Sequence, residues 1–146
     1  MWGETPTPYG PFFLLLSRGV ADFSGTQAYL GAVMFRLIAL LGVLLMIWAV
    51  PRIARQHGIN PAKALWLSVA NPLVIMHFVA GAHNDALMIG LMLAGLAVAG
   101  NGYALAGAGL IGLAASVKPI AFLALPFVGL IRSGTIATFG RRVVDW

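Results

Sequence analysis

Three polar residues, His83, Asn84 and Asp85, stand together between two long apolar runs, and His77 precedes His83 by six residues. The Asp85 carboxylate could act as a general base towards a hydroxyl, or it could orient the His83 imidazole. The structural alternative is that Asn84 or Asp85 caps a helix that begins at Ala86, where a carboxylate also suits the helix dipole. His77 and His83 lack the i, i+4 spacing of a zinc pair, so we assign no metal ligand and leave a divalent-metal requirement open.

A second candidate is Lys118, which stands with Pro119 between two further apolar runs. Its ammonium could hold an anionic ligand such as a phosphate. Alternatively, Lys118 complements the C-terminus of one helix, and Pro119 is the first residue of the next. Arg36 stands inside an apolar run, and it either extends to the surface or faces the interior. Tyr9 lies in the turn-rich string Thr7-Pro8-Tyr9-Gly10-Pro11, which is uninformative by itself.

The composition indicates the environment in which these residues stand. Of 146 residues, 60% are hydrophobic and 9% are charged, whereas about a quarter of the residues in a soluble domain are charged. The sequence is therefore not that of a soluble globular, disordered or disulfide-stapled protein. Nine Lys and Arg residues give too low a charge density for a nucleic-acid binder. The absence of cysteine excludes thiolate chemistry. We predict an all-α, polytopic transmembrane helical bundle.

The uncharged runs predict about five transmembrane spans. They lie near 29–51, 62–82, 85–100, 103–117 and 119–136. The third and fourth spans are shorter than the roughly 20 residues of a full crossing, and they could form a hairpin that enters the membrane part-way. Pro72 is expected to kink the second span. Before the first span, Pro11 to Arg18 predicts a short interfacial helix that ends before Gly19.

The positive charges predict the orientation of these spans in the plasma membrane. Arg52, Arg55 and Lys63 follow the first span, and Arg132, Arg141 and Arg142 follow the fifth, so both groups are expected in the cytoplasm. Lys118 falls on the outer side against this pattern, which favours a bound anion there. The predicted organisation is an outer-face loop and interfacial helix (1–28), transmembrane spans (29–136) and a cytoplasmic end (137–146).

Four strings occur in an order that resembles a known enzyme family. They are Thr7-Pro8-Tyr9-Gly10-Pro11-Phe12, Asn71-Pro72-Leu73-Val74, Gly81-Ala82-His83-Asn84-Asp85-Ala86-Leu87-Met88 and Lys118-Pro119. The chain resembles the polyprenol-phosphate-mannose-dependent α-1,6-mannosyltransferases of actinobacteria, within the C-type glycosyltransferase superfamily. The His-Asn-Asp-Ala-Leu string after an Asn-Pro helix is the most specific part of this resemblance.

The resemblance implies a large membrane enzyme that transfers mannose from polyprenyl-phosphate-mannose to a lipoglycan such as lipomannan, on the outer face. We expect Lys118, His83, Asn84 and Arg36 to bind the donor phosphate. Tyr9 and His77 are expected to contact substrate. Asp85 is the candidate general base within this sequence. The superfamily's base is typically an acidic residue in an earlier outer loop, so we expect a fragment that lacks the main base and is inactive in isolation.

Two other classes of function fit parts of the sequence. Broken helices and ionisable groups within the membrane also occur in transporters, although the sequence shows no inverted repeat. In a non-catalytic membrane subunit, every motif would serve only as a helix cap or a kink. Loss of activity on substitution of His83, Asp85 or Lys118 would separate an enzyme from such a subunit.

Overall fold

The computed structural model describes residue 7 and residues 9–133, and all regular structure within them is helical. We number the α-helices in chain order. They are α1 (Pro11–Ser24), α2 (Ala28–Gln56), α3 (Pro61–Leu67), α4 (Pro72–Val74), α5 (Asp85–Gly100), α6 (Ala104–Ala115) and α7 (Leu125–Arg132). A π-helix (Ile75–Ala80) continues α4, and a 3₁₀-helix (Pro119–Ala124) precedes α7. The all-α prediction is confirmed for this part of the chain. The predictions for the cytoplasmic end (137–146), with Arg141 and Arg142, lie outside the described residues.

The first helix is longer than predicted. Pro11 begins α1 as expected, because a first-turn residue needs no amide donor. The helix nevertheless passes through Gly19 and ends at Ser24, after 14 residues rather than eight. The residue that stops it is Gly25, whose φ of 54° lies in the left-handed region that favours glycine. The prediction that α1 ends before Gly19 is therefore wrong.

Within the described residues, each of the five predicted spans contains helix, but few of the helices are long enough to cross a membrane. Among the described residues, only α2, with 29 residues, is by itself long and apolar enough to span a membrane. Helix α3 and the segment Pro72–Ala80 together are also long and apolar enough to span a membrane, but they are bent by 53° relative to each other. The remaining apolar segments are Asp85–Gly100, Ala104–Ala115 and Pro119–Arg132, all shorter. The number of five crossings stays a prediction.

The second apolar segment is broken rather than kinked. Helix α3 ends at Leu67, and α4 starts at Pro72 after a four-residue break. The Asn71 side chain accepts a hydrogen bond from the Leu73 amide at 3.0 Å, which caps the new helix. The prediction of a kink inside one helix is corrected, because a capped restart replaces the continuous backbone.

Small residues bring the long helices into close contact around α5. A Cβ on Gly42 of α2 would collide with the backbone of Ala86, at the start of α5. At the C-terminal end of α2, Gln56 Nε2 donates to the Ala97 carbonyl at 3.0 Å and to Asn101 Oδ1 at 3.1 Å. Helices α2 and α5 therefore run parallel, and the segment between them brings the chain back to the end of the bundle where α5 starts. Such close backbone approach is typical of membrane helix packing.

Candidate functional site

An ion pair joins the two strings that carry the candidate ionic groups. Lys118 Nζ lies 2.6 Å from Asp85 Oδ1, although the residues are 33 positions apart. Asp85 is the first residue of α5, and Lys118 has an extended backbone immediately before the 3₁₀-helix that starts at Pro119. The prediction that Pro119 begins a helix is confirmed. The Lys118 and Asp85 side chains are 28% and 30% exposed, so the pair is partly shielded from solvent but accessible to a ligand.

The side-chain capping interpretation fails at the start of α5. The helix begins at Asp85, one residue earlier than predicted, and Asn84 makes no side-chain cap hydrogen bond. The reason is the Asn84 backbone, which is helical (φ −65°, ψ −16°) rather than extended as in an ordinary capping residue. Asn84 is 8% exposed, and its Nδ2 has no hydrogen-bond partner among the described residues. Asn84 therefore keeps a buried donor whose hydrogen bond is not made within the described residues.

The N-terminal loop is fixed against the backbone beside Lys118. The Gly10 amide donates to the Val117 carbonyl at 2.9 Å, and the Phe12 amide donates to the Ser116 carbonyl at 3.0 Å. Gly10 is buried, and a Cβ there would collide with the Ser116 carbonyl. The sequence analysis missed this role of Gly10, although its place in a Gly-Pro string at a helix start was a visible signal.

Tyr9 is an exposed residue of the same loop. Its ring packs on Phe13 with centroids 5.2 Å apart. The hydrogen bond of the neighbouring Gly10 to Val117 therefore holds the Tyr9 backbone close to the segment that carries Lys118. This position suits the predicted contact with substrate.

The two histidines form a stacked pair on the chain segment that leads into α5. The His77 and His83 rings lie 4.6 Å apart between centroids, at an interplanar angle of 15°, and both residues are at least partly exposed. The turn between them is tight, since Ala82 has a φ of 49° and a Cβ on Gly81 would lie 2.8 Å from His83 Cδ2. No group of three potential metal-ligating residues occurs among the residues that the structure describes.

Arg36 lies at the same end of the bundle but outside this set of contacts. It stands on the face of α2 that carries the buried residues Ala39 and Val43. Gly42 is level with Ala86, so the Arg36 backbone lies about 9 Å further along the axis of α2, beyond the start of α5. Its side chain is exposed and makes no hydrogen bond or ion pair with the described part of the chain.

This arrangement can bind an anion at the N-terminus of α5. The Lys118 ammonium has three donors, of which Asp85 takes one in the structure. The Asn84 side-chain amide supplies a further donor, and the dipole of α5 favours negative charge at its start. The structure thus brings together Asp85, its neighbour Asn84 and Lys118, and places Tyr9 and the histidine pair on adjoining segments. Within the described residues it gives Arg36 no hydrogen bond or ion pair.

Comparison with known proteins identifies the family. Residues 1–134 match the family model described as alpha-(1→6)-mannopyranosyltransferase, N-terminal domain. The chain is 50% identical over 102 residues to an alpha-(1→6)-mannopyranosyltransferase of Mycobacterium tuberculosis, covering 70% of this chain and 17% of the relative. It is 42% identical over 127 residues to alpha-(1→6)-mannopyranosyltransferase A of Corynebacterium glutamicum, covering 87% of this chain and 26% of the relative.

A more distant relative aligns along nearly the whole chain. Alpha-(1→6)-mannopyranosyltransferase B of Corynebacterium glutamicum is 30% identical over 159 aligned positions, which cover 99% of this chain and 26% of the relative. No solved structure matches the chain. The chain thus spans between 17% and 26% of the length of these curated relatives. By its match to the N-terminal domain over residues 1–134, the chain belongs to the alpha-(1→6)-mannopyranosyltransferase family.

Proposed function

We propose that the whole protein transfers mannose from polyprenyl-phosphate-mannose to a lipoglycan acceptor such as lipomannan. The relatives' names support mannosyl transfer, and the four sequence strings support the lipid-linked donor. The enzyme is a multi-pass protein of the plasma membrane, and its site faces outward. An apolar polyprenyl chain stays within the bilayer, so the pocket that meets its phosphate must border the membrane.

The observation that carries this proposal is the set of donors around Lys118. In the transfer, the bond between the mannose C1 and the phosphate oxygen breaks, and the phosphate retains the electron pair. Donors aimed at this oxygen stabilise the developing charge. The Lys118 ammonium, paired with the first residue of the 16-residue helix α5, is such a donor. The buried Asn84 amide, which has no partner among the described residues, is a second. Two further residues complete the phosphate site. They are His83, which is next to Asn84, and Arg36, which lies at the same end of the bundle.

The sugar lies against the exposed rings beside the phosphate site. Tyr9 is held on the Lys118 segment through the Gly10 contacts, and His77 is stacked on His83. The acceptor hydroxyl forms its new bond to C1 and gives its proton to a carboxylate base. A single displacement with one base inverts the configuration at C1.

Replacement of Lys118 tests the phosphate role. In the whole protein, Lys118→Ala is expected to lower mannosyl transfer about 100-fold, which corresponds to roughly 2.7 kcal/mol of transition-state stabilisation. A helix-terminus charge would contribute only about 0.3–1 kcal/mol to stability. Lys118→Arg should rescue transfer partly, because a planar guanidinium differs from a point ammonium. Transfer from polyprenyl-phosphate-mannose and thermal unfolding are measured on the same preparations.

The exposed Lys63, at the start of α3, provides the matched control. Lys63→Ala should leave transfer unchanged. If Lys118→Ala retains near-normal transfer, or loses it only in proportion to stability, the phosphate role is wrong. The interpretation as a structural turn, and with it the non-catalytic subunit, would then be favoured.

A further inference from the structure

The ion pair raises a question about the role of Asp85. A carboxylate could serve as the general base, or it could hold the ammonium that binds the phosphate. We propose that Asp85 is a positioning residue that acts through Lys118, and that it is not the general base. This inference rests on the proposed function, since it assigns a role within the same phosphate site.

The first argument is the geometry of the carboxylate. Asp85 Oδ1 is 2.6 Å from Lys118 Nζ, a length typical of a strong charge-assisted hydrogen bond. A general base must instead direct its oxygen at the acceptor hydroxyl. The ammonium retains two further N–H donors for phosphate oxygens. The observed contact therefore suits a carboxylate that fixes a phosphate-binding ammonium.

The second argument concerns what else fixes Lys118. Its backbone is held on one side by the hydrogen bonds from Gly10 and Phe12 to the two preceding carbonyls. These bonds do not fix the ammonium, which stands at the end of a flexible four-carbon chain. Among the described residues, Asp85 is the one side chain that hydrogen-bonds the ammonium. Asp85 is itself anchored, as the first residue of a packed helix.

The third argument is burial. The paired side chains are 28% and 30% exposed, whereas those of the Arg18–Asp22 pair in α1 are 81% and 74% exposed with a separation of 3.8 Å. Exposed pairs of the second kind contribute little to structure. A partly buried ammonium that lost its carboxylate would move towards water and away from the phosphate site. The Arg18–Asp22 pair therefore provides a control, because it too joins a cation to a carboxylate but lies exposed in α1, outside the phosphate site.

The test is a double-mutant cycle in the whole protein, with kcat and the KM for polyprenyl-phosphate-mannose measured for each variant. We expect Asp85→Asn to lower kcat/KM about tenfold, because the misplaced ammonium stabilises the leaving phosphate less well. In the Lys118→Ala background, Asp85→Asn should cause no further loss, within about twofold, because its partner is already absent. A general base would instead lower kcat by about 100-fold or more in both backgrounds, which would overturn the proposal. Asp22→Asn should change neither constant.

The outcomes also separate this inference from the proposed function. If Lys118→Ala leaves transfer intact, the phosphate site itself is wrong. If Lys118→Ala abolishes transfer but Asp85→Asn has no effect, the phosphate site stands and the positioning role fails. Where Asp85→Asn does not fold, Asp85→Glu decides, because it keeps the charge and shifts the ammonium. A fall in kcat/KM that disappears in the Lys118→Ala background supports positioning, and a fall in kcat of about 100-fold that persists in that background contradicts it.

Discussion

Three asparagines that precede helices show how one residue type serves two purposes. Asn60 and Asn71 have extended backbones, with ψ of 117° and 128°, and their side chains accept hydrogen bonds from the first amides of α3 and α4. Asn84 has a helical backbone with ψ of −16°, and its buried Nδ2 is unpartnered within the described residues. The first two stabilise helix ends, whereas Asn84 retains a buried donor at a cost in stability.

Substitution of these asparagines should separate stability from function. Asn71→Ala is expected to lower the free energy of unfolding by about 0.5–2 kcal/mol, because it removes a cap. Asn84→Leu should leave stability unchanged or raise it by up to about 1 kcal/mol, because an unpaired buried donor is lost. The same change should weaken donor binding by about fivefold or more, through loss of a hydrogen bond to the charged phosphate. Thermal unfolding and donor titration of both variants check this prediction.

One result would contradict the prediction for Asn84. If Asn84→Leu destabilises the protein as much as Asn71→Ala does and leaves donor affinity unaltered, Asn84 is a structural residue. Its place in the phosphate site would then be withdrawn.

At the scale of elements, proline determines where several of the helices begin. Prolines occupy the first turn of α1, α3, α4, the 3₁₀-helix and α7, where the missing amide breaks no helical hydrogen bond. Pro51 is the exception among the described residues, because it lies inside α2. The breaks that result place the turn before α5 and the turn after α6 at the same end of the bundle, joined by Asp85 and Lys118.

The docking of the N-terminal loop gives a prediction for an element. Gly10→Ala would drive a methyl group into the Ser116 carbonyl, which should cost about 1–3 kcal/mol and displace the Lys118 segment. We expect mannosyl transfer to fall between about 10-fold and 100-fold, because a small misplacement of a binding group is costly. Transfer rates in membranes, normalised to the amount of folded protein, measure the effect.

Gly19 provides the matched control for this change. It lies inside α1, and no atom stands within 4 Å of the position that an added methyl group would occupy. Gly19→Ala should therefore leave transfer intact and stabilise the helix by up to about 1 kcal/mol. Equal effects of the two substitutions on transfer would show that the loop does not position Lys118.

At the scale of the whole molecule, the packing separates two ends of the bundle. Gln56 meets Asn101 at one end, and Asp85 meets Lys118 at the other. Since Arg55 adjoins Gln56, the positive residues that follow the first apolar run lie at the end away from the candidate site. This separation matches the two-sided arrangement that the positive charges predict.

Accessibility of single cysteines tests which end faces outward. The 146-residue sequence has no cysteine, so His83→Cys, Lys118→Cys and Arg55→Cys each introduce a single label site within it. We expect an impermeant reagent added to intact cells to label positions 83 and 118, and to label position 55 only after the membrane is opened. Labelling of position 55 from outside, with protection of 83 and 118, would reverse the orientation and contradict an outward-facing site.

Features that depend on local chemistry were predictable from the amino-acid sequence. The apolar runs predicted five helical segments, and Pro119 marked a helix start, because burial preference and proline geometry act over a few residues. The four short strings were sufficient to indicate the family that the match over residues 1–134 shows. The extent of α1 was not predicted, because Gly19 is tolerated inside a helix and only the left-handed Gly25 ends it.

The partners of the ionic groups, in contrast, depend on how the helices pack. Asp85 and Lys118 meet across 33 positions because α5 and α6 pack closely, where a Cβ on Gly95 would lie 2.7 Å from the Gly107 carbonyl. The sequence left Asp85 as a base, a cap or a partner of His83, and it did not suggest Lys118 as the partner of Asp85. Local propensity says nothing about such contacts, because they depend on how two helices align after the chain has turned back.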